Sequence, residues 1–92
     1  MALFAVDYTY APDAAAVRDR FRPEHREWLG AQHAVGALQF VGPYPDGSGA
    51  LLMITAADDD AARTLLAGDP FARESAIAAV SVKEWVQVYG PF

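Results

Sequence analysis

His25 is the first residue of this sequence whose side chain could do chemistry. Trp28, Leu29 and Gln32 follow it at spacings of three, four and seven residues, which places all four on one face of a helix. An unperturbed imidazole titrates at about pH 6.5, so a partly buried one can accept or donate a proton at neutral pH. Two interpretations stay open: a general acid–base group, or a core histidine whose ring nitrogens are satisfied by neighbouring polar groups.

Asp69 is the second candidate, although its position also suggests a structural role. It stands directly before Pro70 and Phe71, a pattern typical of a helix N-cap followed by a proline in the first turn. Capping uses one carboxylate oxygen and leaves the other free to accept from a second donor. A structural and a chemical role for Asp69 are therefore compatible.

Arg22, Tyr8 and Trp85 are further candidates for a binding pocket. The guanidinium of Arg22 could hold an anionic group through two parallel hydrogen bonds, or it could pair at the surface with Asp13 or Glu24. Tyr8 and Trp85 lie in the first and last predicted strands. These strands are neighbours in the predicted fold, so the two rings could line a pocket together or pack in the core or an interface.

No metal or cofactor is predicted. His25 and His33 stand alone in the sequence, and the acidic run at residues 58–60 is explained by a helix N-terminus. Ser48 lies in a glycine-rich turn that lacks the lysine and the strand-to-helix setting of a phosphate-binding loop. The chemistry is therefore expected to come from side chains alone.

Composition narrows the class of protein. The chain has 92 residues, 53% of them hydrophobic, no cysteine and a net charge of −5. That length predicts one domain over residues 1–92, and the missing cysteines exclude a disulfide framework and a thiolate nucleophile. The acidic balance argues against nucleic-acid binding, and no apolar run reaches the roughly 18 residues of a membrane span. A cytoplasmic protein that binds neither nucleic acid nor membrane is expected.

The hydropathy pattern predicts strands at residues 2–10, 37–41, 50–56 and 78–89. Helical segments lie between the first two strands and between the last two. The resulting order, β-α-β-β-α-β, is the ferredoxin-like pattern of the α+β class.

Proline and capping residues predict where the helices begin and end. The first helical segment is expected to begin after Asp13, to break near Arg22 and to restart at Pro23, which would put His25 at a helix N-terminus. Gly36 is expected to end it. The second segment runs from residues 58–60 to about residue 68, and a short helical turn covers residues 70–75.

The predicted order leaves one face of the sheet without helices. Two helices cover only one face of a four-stranded sheet. Apolar residues nevertheless occur at both the odd and the even positions of the strands, so both faces of the sheet carry them. The open face is therefore expected to be buried by a second copy of the chain, sheet against sheet, with a small ligand as a further occupant of the gap.

Four segments, spread over nearly the whole chain, resemble the YciI-like (YCII-related) family. They are Arg22-Pro23-Glu24-His25, Gly42-Pro43, Asp69-Pro70-Phe71 and Val80-Ser81-Val82-Lys83-Glu84-Trp85. The resemblance implies a ferredoxin-like sandwich that pairs into a dimeric α+β barrel. It also implies a site built on a His–Asp pair, which falls on His25 and Asp69, and one branch of the family removes halide from a chlorinated hydroxyquinol. The hairpin loop from Tyr44 to Gly49 looks shorter than in many relatives.

The resemblance completes the predicted site. Asp69 would accept from one imidazole nitrogen of His25 and leave the other nitrogen free for a substrate. The pocket around them would contain Tyr8, Arg22, Gly42, Pro43, Phe71 and Trp85. Cofactor-free lyase, isomerase or dehalogenase chemistry on a small cyclic or aromatic substrate fits such a pair. The sequence has no cysteine and no serine placed to act as a nucleophile, so a covalent intermediate is not expected.

Two alternatives to an enzyme stay open. The same pocket would also suit a non-catalytic module that binds a metabolite. In the second alternative the chain is a structural homodimer, accessory to a larger enzyme, and the His25–Asp69 pair is only a buried hydrogen bond. Fold alone separates none of these, because ferredoxin-like scaffolds carry many unrelated functions.

Overall fold

A four-stranded antiparallel sheet with helices on one side forms the core of the computed structural model, which describes residues 1–90. The elements follow in the order β1 (Ala2–Tyr10), α1 (Ala15–Ala34), β2 (Leu38–Pro43), β3 (Gly49–Ala56), α2 (Asp59–Leu66), α3 (Pro70–Arg73) and β4 (Ile77–Trp85). The strand order across the sheet is β2-β3-β1-β4. This confirms the predicted β-α-β-β-α-β order, with α3 as the short additional turn.

Alternate residues of β1 point into the core. Val6 is fully buried and lies opposite Leu52 of β3 and Val82 of β4, and paired residues of adjacent strands share a face of the sheet. Leu66 of α2 and Trp28 of α1 pack against the same cluster. Both long helices therefore cover the face of the sheet that carries the even-numbered residues of β1.

The other face of the sheet is covered by no element within residues 1–90. It carries Leu3, paired with Trp85, and Ala5, paired with Met53, whose side chain is already buried within the single chain. Leu51 on the same face keeps 37% of its surface exposed. We call this set of apolar residues the open sheet face.

The predicted break at Pro23 is wrong, because α1 is one helix of 20 residues with Pro23 inside it. A proline removes one backbone N–H and leaves the carbonyl of the residue four before it, Asp19, without its helical donor. Both residues are exposed, so water can reach that carbonyl, while the opposite side of the helix packs against the core. His25 consequently lies in the middle of α1 and not at a helix N-terminus.

Local signals at the other helix ends have mixed outcomes. Gly36, at φ +81°, ends α1 as predicted, and Asp58 caps α2 by accepting from the Ala61 N–H at 2.8 Å. Asp13 does not cap α1; the N-cap residue is Ala14, which offers no side-chain hydrogen bond. α1 therefore depends on packing of its apolar side and not on a strong cap.

β4 ends at Trp85, four residues before its predicted end at residue 89. Trp85 pairs with Leu3, at the beginning of β1, so almost no neighbouring strand remains for the residues that follow. Valine alternation continues in the sequence, but a strand needs a partner as well as a pattern. Among residues 1–90, no helix is long and apolar enough to cross a membrane.

Candidate active site

Asp69 lies at the centre of the site and is fully buried. Its Oδ2 accepts from the Tyr8 hydroxyl at 2.8 Å, and its Oδ1 lies 2.6 Å from Nδ1 of His25 and accepts from the Phe71 N–H at 3.0 Å. A buried carboxylate is costly unless donors replace the lost water, and here three donors do so. One side chain thus connects β1, α1 and α3.

The local sequence explains why the Asp69 carboxylate points inwards. Asp69 is the N-cap of α3, with extended backbone angles, and Pro70 occupies the first turn. The bond from the Phe71 N–H to Oδ1 is the capping bond predicted from the sequence. Capping fixes the carboxylate where both His25 and Tyr8 can reach it.

The His25 ring is held in one orientation. It stacks on Phe71 with a centroid distance of 3.8 Å and an angle of 4° between the ring planes. Because a carboxylate only accepts, Nδ1 carries the hydrogen that bonds to Asp69. In the neutral imidazole this leaves Nε2 as the nitrogen with a lone pair. Nε2 has no hydrogen-bond partner in the described chain. No buried side-chain nitrogen or oxygen there lacks a partner, so Nε2 is accessible to solvent.

A cavity of about 360 Å³ adjoins His25, a volume within the range of small-molecule sites, roughly 300–1,000 Å³. Four other residues predicted for the pocket also line it: Arg22, Gly42, Pro43 and Phe71. The structure therefore brings five of the predicted residues together around one space. Asp69 is not among the lining residues, because it lies behind the imidazole.

Tyr8 and Trp85 lie elsewhere. Tyr8 is buried, contacts Asp69 and lines a separate, mostly apolar cavity of about 190 Å³ between the sheet and α2. Trp85 lies on the open sheet face opposite Leu3, so it lines neither cavity. The two rings do not line a pocket together, because β1 and β4 are neighbours but these two residues point to opposite faces of the sheet. The alternative of packing in the core is confirmed for Tyr8.

Sequence reasoning missed seven of the residues that line the cavity, among them Tyr10, Arg18 and Arg26. Arg18, Arg22 and Arg26 recur every four residues, which predicts one helical face, but the supposed break at Pro23 concealed the repeat. The surface pairs suggested for Arg22 are wrong: its guanidinium bonds to Asp19 at 2.6 Å.

Burial dominates the electrostatics of the two tyrosines at the site. Burial, followed by the negative charge of Asp69, raises the pKa of the Tyr8 phenol, so Tyr8 remains a proton donor to that carboxylate. Burial also raises the pKa of Tyr10, although the Arg18 guanidinium, 4.3 Å from the ring centroid, acts in the opposite direction.

The sequence matches the family model of the YCII-related domain over residues 2–86. The chain therefore belongs to the YCII-related family, in agreement with the resemblance seen in its motifs. No curated protein sequence matches it.

Solved structures show what the fold resembles. The chain is similar to 5-chloro-2-hydroxyhydroquinone dehydrochlorinase (TftG) from Burkholderia phenoliruptrix AC1100, in a complex with 2,5-dihydroxybenzoquinone. The TM-score is 0.81 and the identity 25%, over 91% of this chain and 93% of that one. This similarity supports a small enzyme with a dehalogenase-like fold.

Two more distant structures show the same fold. A protein of Bacteroides thetaiotaomicron VPI-5482, proposed to be an antibiotic biosynthesis monooxygenase, gives a TM-score of 0.64 at 8% identity over 99% and 92% of the two chains. Protein PA3566 of Pseudomonas aeruginosa gives 0.61 at 17% identity over 95% and 93%. The ferredoxin-like fold of dimeric α+β barrel proteins is thus confirmed.

Proposed function

We propose that this protein is a cofactor-independent lyase that eliminates halide from a small hydroxylated aromatic ring, with His25 as the acid–base group. The observation that carries the proposal is the hydrogen bond between buried Asp69 and Nδ1 of His25, which leaves Nε2 free beside a cavity. Membership of the YCII-related family and similarity to a dehydrochlorinase support the reaction class.

Asp69 and Phe71 act as positioning residues for the imidazole. Asp69 holds the tautomer in which Nε2 is basic, and it stabilises the imidazolium that forms when Nε2 takes a proton. Phe71 covers one face of the ring, and 12% of the His25 side chain stays exposed. The arrangement supplies a base and its orienting group, without a nucleophile.

Elimination of HCl from a chlorinated hydroxyhydroquinone balances without an oxidant. Nε2 removes a hydroxyl proton, the oxygen electron pair forms a C=O bond, and Nε2 returns the proton to the ring carbon that bears chlorine. Nε2 then takes a second hydroxyl proton, which forms the other carbonyl and expels chloride, and this proton is finally released to solvent. The ring is oxidised to a hydroxyquinone while the C–Cl carbon is reduced to C–H, so the products are the quinone, a proton and chloride.

We also propose that the working unit is a homodimer joined through the open sheet face. Leu3, Ala5, Leu51 and Trp85 place apolar surface where no element within residues 1–90 covers it. A two-fold dimer that packs these faces together would bury that surface in both copies at once. The cavity beside His25 lies on the helix side of the sheet and would stay open.

The direct test replaces His25 by Gln and measures chloride release from 5-chloro-2-hydroxyhydroquinone. Loss of the general base is expected to lower kcat by about 10²–10⁴-fold. His33→Gln is the matched control, because His33 is an exposed histidine of the same helix. Quinone formation, followed by absorbance, should match the chloride released.

Two results would contradict the proposal. One is full activity of the His25→Gln variant, which would show that another group moves the proton. The other is a folded wild-type protein that binds 2,5-dihydroxybenzoquinone yet releases no halide from any chlorinated hydroxyhydroquinone isomer. That second result would instead favour the metabolite-binding alternative.

A further inference from the structure

We infer that the cavity beside His25 selects a substrate that binds as an organic anion, held by a row of guanidinium groups on α1. The row consists of Arg18, Arg22 and Arg26, which all line that cavity. The inference rests on the proposed function, since it names the substrate class for the same site.

Helix geometry puts the arginine row and the base on one side of α1. At about 100° per residue, Arg18, Arg22, His25 and Arg26 fall within an arc of about 100°. Arg20 lies about 200° from Arg18 on the same count. It belongs to the same helix but does not line the cavity.

The charge around the cavity is opposite to the charge of the molecule. The chain carries 12 acidic residues against 7 basic ones, yet the residues that line the cavity include three arginines and no aspartate or glutamate. A cavity lined by one sign of charge attracts ligands of the other sign. A neutral ring alone would not need three guanidinium groups.

The three arginines differ in how free they are to bind a ligand. Arg26 makes no ion pair or hydrogen bond with another described residue. Arg22 is bonded to Asp19, but both side chains are well exposed, so this pair is readily exchanged for a ligand. Arg18 lies over the Tyr10 ring. Arg26 is therefore the principal anion-binding residue, and Arg22 is the second.

The anionic group can be a carboxylate, which offers two oxygens to a guanidinium, or an ionised ring hydroxyl, which offers one oxygen with a delocalised negative charge. The arginine row would have a second benefit, at a ring hydroxyl that is still protonated when the substrate binds. When Nε2 of His25 takes a hydroxyl proton, negative charge develops on that oxygen, and a nearby guanidinium stabilises it. The row would then contribute to the reaction as well as to affinity.

Calorimetric titration with three ring compounds tests the inference without requiring turnover. The probes are 2,5-dihydroxybenzoquinone, whose acidic hydroxyls give a ring oxyanion, 2,5-dihydroxybenzoate, which carries a carboxylate, and neutral hydroquinone. Wild-type protein is expected to bind at least one of the anions about tenfold or more tightly than hydroquinone. Arg26→Gln should raise the Kd of that anion about tenfold, and Arg20→Gln should leave it unchanged.

The results distinguish a ring oxyanion from a carboxylate as the bound group. They also distinguish anion binding by the arginine row from the proposed lyase activity. Arg26-dependent binding of the quinone alone assigns a ring oxyanion, and that of the benzoate alone assigns a carboxylate. Equal Kd values for anions and hydroquinone, or equal losses in Arg26→Gln and Arg20→Gln, would overturn the inference. Arg26-dependent anion binding without halide release would support the inference while the proposed lyase activity fails. If Arg26→Gln releases halide with an unchanged KM, the proposed lyase activity stands and the inference about the arginine row fails.

Discussion

Asp69 accepts three hydrogen bonds, and the Tyr8 hydroxyl is the donor to its Oδ2. Tyr8 lies outside the cavity that holds His25, so a change at Tyr8 tests the support of the carboxylate and not contact with a substrate. Tyr8 also has no part in capping α3. At the scale of single residues, it is therefore the place to measure how much the buried carboxylate depends on its donors.

Replacement of Tyr8 by Phe is expected to lower the free energy of unfolding by about 1–3 kcal/mol at pH 7, because Oδ2 of buried Asp69 loses its donor. Urea denaturation followed by circular dichroism measures the change. Tyr44→Phe is the matched control, because the Tyr44 hydroxyl donates to Asp7 in an exposed contact and its loss should change stability little. Equal losses in the two variants would contradict this account of Tyr8.

The pH dependence of stability should differ between wild type and Tyr8→Phe above pH 10. Burial raises the pKa of Tyr8 in the folded protein above the value of 10.0 expected when the chain unfolds. Above pH 10 the folded state therefore binds more protons than the unfolded state. The contribution of Tyr8 to the free energy of unfolding is fully present below pH 10 and is lost as the pH rises.

Denaturation curves between pH 9 and pH 11 measure this difference. In wild type, titration of Tyr8 should lower the free energy of unfolding by at most about 1.4 kcal/mol for each pH unit. This decrease should be absent from Tyr8→Phe. Tyr10 and Tyr44 are present in both proteins, so their titration cancels in the comparison. Parallel curves over the whole range would show that the Tyr8 pKa is not raised.

At the scale of elements, α1 determines the site because it carries His25 and all three cavity arginines. The helix keeps its register through Pro23, which is exposed. A proline here lowers helix stability without interrupting the face that lines the cavity. Its removal should therefore change stability more than activity.

Pro23→Ala is expected to raise the free energy of unfolding by about 1–2 kcal/mol. Alanine restores a donor for the Asp19 carbonyl, and the greater freedom of the unfolded chain offsets part of the gain. Gly30→Ala is a useful control in the same helix, since a Cβ there would meet no atom within 4 Å. It should give about 0.5–1 kcal/mol from helix propensity alone. A destabilised Pro23→Ala variant would show that the proline is needed.

Local signals predicted many element ends, and tertiary contacts explain those they missed. The caps at Asp58 and Asp69 and the glycine at residue 36 act through their immediate neighbours, so the sequence displays them. Continuity of α1 through Pro23 depends on core packing, and the end of β4 depends on where β1 begins. Neither can be deduced from a short window of sequence.

The site was predictable to the extent that a family motif marks it. His25 and Asp69 are 44 residues apart, so only the topology brings them into contact. The arginine row was visible in the spacing alone, provided that α1 is treated as continuous. Trp85 could not be placed in this way. The face of the sheet to which it points depends on the alternation of side chains along β4 and on the pairing of β4 with β1, and a sequence motif contains neither.

At the scale of the whole molecule, the open sheet face predicts the oligomeric state. Leu51→Glu would place a charge on this face at a residue that is 37% exposed, so the single chain should still fold. Wild type is expected to sediment as a dimer of 9.9 kDa chains. The variant should sediment as a monomer, with a dissociation constant raised at least about 100-fold.

Analytical ultracentrifugation and circular dichroism measure assembly and folding of the same samples. Thr64→Glu is the control, because Thr64 is exposed on α2, on the helix side of the sheet. It should remain a dimer. A monomeric wild type, or a folded Leu51→Glu variant that stays dimeric, would exclude the open sheet face as the interface.

The stacking of His25 on Phe71 restricts which ring isomers the protein can process. An imidazole fixed at Nδ1 by Asp69 and covered on one face by Phe71 cannot swing across a bound ring. The oxygen that loses its proton and the carbon that gains one must therefore both lie within reach of the same Nε2. Neighbouring ring positions meet this condition, whereas opposite positions do not. Halogen on the carbon next to a hydroxyl, as in 3-chlorocatechol, should be eliminated, whereas 4-chlorocatechol, whose halogen is opposite a hydroxyl and next to none, should bind without reacting.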